Sequence, residues 1–468
     1  MADRGGNSIE DFFNVVRSGD AAARAGRTDE AVAIYELAAT LGPGHGLAFT
    51  RKAIVQFRAA FGEPLAPRAS AKAGAAISMS ALGRYGQFGN QLLQYAFLRL
   101  YAQEHGLEAQ APDWIGRDLF DLDDPLPERE LPMLDEAQAD FLGSLAGETR
   151  QVYAGIDIKG FFCDGMERWG PRSDAFRALF APGRKLRPLL DQAMDAVRRR
   201  GRTLVGLHIR RRNYGYGRFW IAPERWYADW LSGLWPRLDA PVLYVASDDP
   251  QARASFSRFA PLGTADLGVS IRGADFFLDH YVLSRAQHLA ISNSSFSFTA
   301  ALLNRGAAGF ARPDPLRRAL VPFEPWHSQV LVDAPQRELR AGAQGAAMLK
   351  LLRPTDRVVH VGEFCSPWTN AARAAHPRLT VTEVDPETTM DALWERGAIE
   401  TIDHLVIGEG CDVQAVIEGS RDSLDFGRIA AVHYNCAGPA AEAAARALRE
   451  SGFTIRTLEP GNYMATPQ

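Results

Sequence analysis

Ala76-Ile-Ser-Met-Ser-Ala-Leu-Gly-Arg-Tyr-Gly-Gln-Phe-Gly-Asn-Gln-Leu-Leu-Gln-Tyr-Ala-Phe97 holds the order on which the fold reading turns. A short apolar run, Ala76 to Ser80, is followed by a glycine-rich turn and then by apolar residues at helical spacing, Leu93, Ala96 or Phe97, and Leu100. Gly83, Gly86 and Gly89 allow close approach of the backbone to a ligand, and the free N–H groups of a helix start suit an anion. The same turn would also serve a purely packing role, and the stretch alone leaves both readings open. Outward from it, apolar runs at Leu204 to Ile209, Val242 to Ser247 and Leu289 to Ser292 alternate with helical patterns. That alternation predicts parallel sheets with crossover helices. Residues 70–200 and 201–338 are expected to form two doubly wound, Rossmann-like halves around a cleft. A smaller Rossmann-like α/β domain is expected over 345–468, from runs at Val358 to Val361, Leu405 to Ile407 and Ile429 to Val432.

Residues 1–66 read as helical, with Ile9, Phe12, Phe13 and Val16 in one stretch and Ala31, Ile34, Tyr35 and Ala38 in a second. The words around Ala25 to Ala38 resemble one tetratricopeptide unit, a helical hairpin that must stack on something to cover its apolar face. The alternatives are docking on the next domain and binding of a protein partner. Gly62-Glu-Pro-Leu-Ala-Pro-Arg-Ala-Ser70 reads as a linker.

The 468 residues carry 52 basic and 56 acidic side chains, a formal net charge of −4, so general nucleic-acid binding is not expected. Four scattered cysteines, without a Cys-x-x-Cys pair, read as free thiols in a reducing compartment. The first residues do not have the order of a secretory signal, and no apolar run is long enough for a membrane span. A cytoplasmic protein is expected, with peripheral attachment at the inner face of a membrane left open. His280, His327 and His433 are isolated in sequence, and no zinc or calcium spacing occurs; no metal and no bound cofactor are expected.

Three further stretches carry chemistry. In Thr203-Leu-Val-Gly-Leu-His-Ile-Arg-Arg-Arg-Asn-Tyr214, a histidine and three arginines close an apolar run, at the end of a strand where open α/β sheets bind ligands. An arginine fork there suits a diphosphate and would neutralise charge as a sugar–phosphate bond breaks. Ser292, Asn293, Ser294, Ser295 and Ser297 follow another strand and can donate to phosphate oxygens, or simply cap a helix. Asp248 and Asp249 end the run Val242 to Ser247 and suit either ribose hydroxyls or a helix cap.

The combination Gly86-x-x-Gly-Asn-Gln-x-x-Gln-Tyr-Ala, His208-x-Arg-Arg-x-Asn-Tyr, Ala246-Ser-Asp-Asp and Ile291-Ser-Asn-Ser-Ser-Phe-Ser-Phe resembles the α-1,2-fucosyltransferase family, in the GT-B fucosyltransferase group, over about residues 76–325. The resemblance implies a metal-independent GT-B enzyme that moves fucose from GDP-fucose to a glycan or glycoconjugate hydroxyl with inversion. It implies that Arg210 meets the donor β-phosphate, with His208 and Arg211 beside it. Gly86, Gly89, Asn90 and Gln91 match the glycine-rich loop, and Ser294, Ser295 and Phe296 the phosphate-side loop. Asn213 stands where the family carries Asp, and an amide is not a general base. Gly160-Phe-Phe-Cys-Asp164 stands where the family reads Gly-Tyr-Phe-Gln, which leaves Asp164 as the candidate base.

Val358-Val-His-Val-Gly-Glu-Phe-Cys, Ile402-Asp-His-Leu-Val-Ile-Gly and Val416-Ile-Glu-Gly-Ser resemble a degenerate FkbM-type methyltransferase. His360 and a single Gly362 stand where that family places an acid and a glycine-rich loop against S-adenosylmethionine, which favours a structural or interaction module, although Glu409 remains available to a ligand. Besides the fucosyltransferase, two other functions therefore compete: a methyltransferase acting through this unit, and a non-catalytic scaffold.

Overall fold

A computed structural model describes residues 8–41, 46–70, 76–211, 214, 218–333, 351–362, 369, 372, 376, 379–395, 399, 401–408, 411–436, 438–459 and 462–467. Asn213 and Glu409 lie outside these residues. The chain forms two compact units, Met1–Asn213 with Ala222–Val332, and Tyr214–Ile221 with Asp333–Gln468.

The first unit holds two α/β sheets. Strands β1 (Ala76–Ser78), β2 (Glu108–Gln110), β3 (Met133–Asp135) and β4 (Ile156–Lys159) pair in the order β2-β1-β4-β3, all parallel. Strands β5 (Thr203–Ile209), β6 (Pro241–Ser247), β7 (His288–Ala290), β8 (Gly309–Asp314) and β9 (Ala319–Pro322) pair in the order β6-β5-β7-β8-β9, with only β9 antiparallel. In each sheet the chain reverses its direction of winding beside the first strand, as the doubly wound Rossmann-like expectation requires. Buried Val205, Leu207 and Ile209 on β5 and Leu243 and Val245 on β6 explain why these strands read as near-continuous apolar runs.

Three helices precede β1: α1 (Ser8–Arg24), α2 (Thr28–Leu41) and α3 (Gly46–Phe61). A hairpin was the sequence expectation; the structure adds the third helix, and that helix has two faces to cover. Leu47 and Ala48 of α3 join Phe12, Val16, Ala31 and Tyr35 in one apolar cluster. Ala53, Ile54 and Phe57 of α3 instead belong to the main core, with Ile77 of the first sheet and Leu204 and Leu289 of the second. At its far end Arg58 makes paired hydrogen bonds to Asp118 (3.0 and 2.9 Å) and to Asp113 (3.0 and 2.6 Å).

Between β1 and β2 runs α4 (Phe88–His105), stopped by the left-handed Gly106. It is buried on almost every face, from Phe88 and Gly89 through Leu98, and not on one stripe alone. Its buried side-chain donors therefore bond to protein, while Gln91 Oε1 and Gln94 Oε1 are left without a hydrogen-bond partner. Gln91 Nε2 donates to Thr50 Oγ1 on α3 (2.9 Å), Gln94 Nε2 to Gly160 O (2.9 Å), and Tyr95 Oη to Asp124 (2.6 Å).

At its N-terminus α4 meets the helix Ser295–Leu303, here called the serine helix. A Cβ built on Gly89 would overlap the backbone of Ser295 and Phe296, so only glycine lets the two helix starts touch. Gly89→Ala is expected to destabilise the first unit by about 2–3 kcal/mol, the upper part of the overpacking range, because backbone rather than a flexible side chain must move. Urea unfolding of the variant beside wild type measures it.

In the second unit, β10 (Arg357–Val361), β11 (Thr380–Val384), β12 (His404–Ile407), β13 (Val432–Asn435), β14 (Phe453–Glu459) and β15 (Asn462–Pro467) form one sheet ordered β11-β10-β12-β13-β15-β14. The first four strands are parallel, and β15 is antiparallel to both of its neighbours. His433, isolated in sequence, is not isolated in space: its Nε2 lies 2.9 Å from His404 Nδ1, and His404 Nε2 lies 3.1 Å from Asp356 Oδ2.

Candidate active site

The winding of the second sheet reverses between β5 and β7, and the crevice beyond the carboxyl ends of those strands is where such sheets take ligands. His208 is the sixth residue of β5, and its ring is buried. Nδ1 lies 2.7 Å from Ser292 Oγ after β7 and 2.8 Å from Ser297 Oγ in the serine helix. Burial first, then the charge of Arg210, pushes the imidazole down to about 3, so His208 is neutral at physiological pH. It ties the strand end to the helix start and is poorly suited to act as a base.

Arg210 leaves the strand end with its guanidinium largely covered. Nη1 lies 2.6 Å from Asp248 Oδ2, and Nη2 donates to Gln87 Oε1 (3.2 Å) in the glycine-rich turn. Asp248 also accepts from the backbone N–H of Arg211 (2.8 Å). Arg211 turns away, pairing with Glu224 and donating to the carbonyl oxygens of Arg210 (3.2 Å) and Ala222 (3.3 Å). The two carboxylates left open by the sequence thus differ. Asp248 organises the arginines, whereas Asp249 accepts from Gln251 N (3.0 Å) and caps the following turn.

The serine loop also divides. Ser294 is the N-cap of the serine helix, its side chain accepting from Phe296 N, and Ser295 and Phe296 are half-buried at the helix start. Phe296 lies against the His208 ring, centroids 5.0 Å apart. Asn293, expected on the donor, holds the backbone of Val332 through both ends of its amide (2.9 and 2.8 Å). Gln91 is likewise held inside the protein: it is fully buried with its amide on Thr50, because its helix has no solvent face at that position.

On the glycine-rich side Gly83 and Gly86 take φ of +81° and +70°, and the half-buried Asn90 packs over Gly86. The turn is anchored by buried Asp157 of β4, which accepts from Ser78 Oγ (2.6 Å), Ser80 N (2.7 Å) and Ser80 Oγ (2.6 Å). Asp164 is exposed in the turn after β4. Arg210, Gln87, Asp248, His208, Gly89 and the start of the serine helix are thus linked by direct contact; Asp164 has no place in that chain of contacts. Gln87 was missed by the sequence reading, and its position one residue before the helix was the available signal.

In the second unit, Asp385 directly follows β11, and β11 lies beside β10, which is followed by Gly362 with φ +142°. The sequence reading found no acid for a ribose there. Thr380 to Val384 holds two apolar residues, three positions apart, so no alternation marked the strand or the acid at its end.

His280 is also buried, against Thr299 (3.0 Å), and is pushed down to about 3, chiefly by burial. An unfolded histidine titrates near 6.5. From about pH 6.5 downward the unfolded chain therefore binds protons that native His208 and His280 refuse, and stability falls towards pH 3. Asp118 and Asp279, each pushed up to about 6 by burial, act in the opposite sense between about pH 6 and 4. The histidine window is wider and opens at higher pH. Urea-unfolding stability of the first unit is expected to decline from pH 7 to pH 4.5, and His280→Gln is expected to flatten that slope.

No family model matches the chain, and no curated protein matches it. Among solved structures it is similar to the NodZ α-1,6-fucosyltransferase soaked with GDP-fucose, at 16% identity and TM-score 0.36, over 56% of this chain and 100% of that one. Fucosyltransferase NodZ from Bradyrhizobium gives 15% identity and TM-score 0.36 over the same shares. A protein-(glutamine-N5) methyltransferase from Alicyclobacillus acidocaldarius gives 19% identity and TM-score 0.21 over 28% of this chain and 95% of that one. Likenesses at this level assign neither a substrate nor a residue role.

Proposed function

We propose that the chain is an inverting, metal-independent glycosyltransferase of GT-B type that takes GDP-fucose as donor and a glycan or glycoconjugate hydroxyl as acceptor. The observation that carries the reading is Arg210, fixed by Asp248 at the carboxyl end of β5 and bonded across to Gln87 of the glycine-rich turn. As the anomeric C–O bond to the diphosphate breaks, negative charge grows on the β-phosphate. A guanidinium already oriented for it, with the N–H groups of the serine helix start, stabilises that charge without reorganisation. Neutral His208 positions the helix start and leaves the positive charge to Arg210. The sugar and the base follow from the motif resemblance alone, and a general base is not assigned. In this reading the enzyme works in the cytoplasm.

Thermal shift across GDP-, UDP- and dTDP-sugars tests the reading. GDP and GDP-fucose are expected to raise the melting temperature, by the equivalent of about 2.7 kcal/mol at a hundredfold excess over Kd. A shift with UDP- or dTDP-sugars alone, or with none, would sink it. A second reading, an S-adenosylmethionine site in the second unit, draws support from Asp385 at the end of β11, an acid where a ribose is commonly held. Calorimetry with S-adenosylmethionine separates the two.

A further inference from the structure

A cavity of about 470 Å³ in the first unit lies away from the crevice of β5 and β7. Its lining includes Leu303 and Asn304 at the far end of the serine helix, with Tyr281 of the helix Asp275–Leu283 and Ser284, which caps that helix. Phe120, Phe180 and Phe277 supply apolar wall, and Arg177, Arg285 and Arg305 bring three guanidinium groups. Among the described residues, no acidic side chain lines it. The carboxylate paired with Arg177 (3.5 Å) and Arg305 (3.3 Å) is Asp174, itself 82% exposed, which leaves the cluster cationic. Arg177 Nε and Arg285 Nη1 donate to the carbonyl oxygens of Leu302 (3.0 Å) and Ser284 (3.3 Å), so two of the arginines also cap helix ends. Capping alone does not require a cavity of ligand size with aromatic walls. It also uses one edge of a guanidinium, and a fork has a second.

We infer that this cavity binds a small amphipathic anion, an apolar ring or chain seated on the phenylalanines with a carboxylate or phosphate ester on Arg285 and Arg305. The serine helix, about 13 Å long at 1.5 Å per residue, joins this cavity to the candidate donor site. His280 lines the cavity, its ring lies 5.2 Å from that of Phe296, and Phe296 packs on His208. The cavity is a second site, behind the first and in contact with the same helix.

Calorimetry on the full chain tests it with 1-naphthyl phosphate, 1-naphthoate, neutral 1-naphthylmethanol and inorganic phosphate. At least one naphthyl anion is expected to bind, ten times or more tighter than the neutral analogue and than inorganic phosphate, and the tighter anion identifies the head group. Arg285→Gln with Arg305→Gln is expected to weaken it at least tenfold. Ala178→Trp, at an exposed lining position, is expected to abolish binding, while Arg210→Ala leaves it unchanged. Equal binding of the neutral analogue, binding that survives Ala178→Trp, loss in Arg210→Ala, or no binding of either naphthyl anion overturns the inference. These outcomes do not depend on which nucleotide sugar the donor site takes.

Discussion

Arg210→Ala is expected to lower turnover with the nucleotide-sugar donor by about 10²–10³-fold, the usual consequence of removing one preorganised group from a site of developing negative charge. The effect should fall on kcat more than on KM, because the charge is greatest as the leaving group departs. Arg210→Lys keeps a cation but loses the fork that reaches both Asp248 and Gln87, and should recover only part of the rate. Asp249→Asn touches only the turn that follows β6 and should leave turnover near wild type. Single-turnover measurements on the three variants test this ordering. An Arg210→Ala enzyme with full activity would remove the central residue of the proposed mechanism.

Arg58→Ala is expected to cost about 3–5 kcal/mol of stability, the range for breaking a buried ion pair from one side. The Asp118 side chain is 0% exposed, and its two hydrogen bonds from Arg58 offset part of the burial that pushes its pKa up to about 6. Without the guanidinium the carboxylate must take a proton or draw in water. Arg58→Met with Asp118→Leu removes both charges and should recover much of the loss. Urea unfolding of the single and double variants measures the difference. A single variant as stable as wild type would mean that the pair contributes nothing to holding α3.

The strands that could be read from the sequence were those buried on both sides. Leu204 to Ile209, Val242 to Ser247, Val358 to Val361 and Leu405 to Ile407 lie in β5, β6, β10 and β12. Short or half-exposed strands such as β2, β3 and β11 carry too few apolar residues to stand out. The motif Gly86-x-x-Gly-Asn-Gln-x-x-Gln-Tyr marks the turn before α4 but blurs two kinds of residue. Its glycines shape the turn and the helix contact, while Gln91, Gln94 and Tyr95 face inward to Thr50, Gly160 and Asp124. A motif records every residue a local structure needs, and internal hydrogen bonds are among those needs. The pairing of Arg210 with Asp248 and Gln87 was beyond reach for another reason: it joins three segments whose relative placement depends on the packing of both sheets. Asn213, expected at the donor, lies outside the described residues.

Beyond Arg58, α3 touches both sheet systems. Gly273, from the second half, lies so close that a Cβ there would sit 2.6 Å from Ala53 O, and Phe49 packs on Phe276 with ring centroids 5.3 Å apart. A helix wedged into both halves resists the hinge bending by which two-lobed enzymes often admit and release substrates. If the crevice takes the donor as proposed, loops around it rather than a hinge would have to open for exchange. Cutting the chain before β1 would therefore strip core from both halves and not remove a separable appendage.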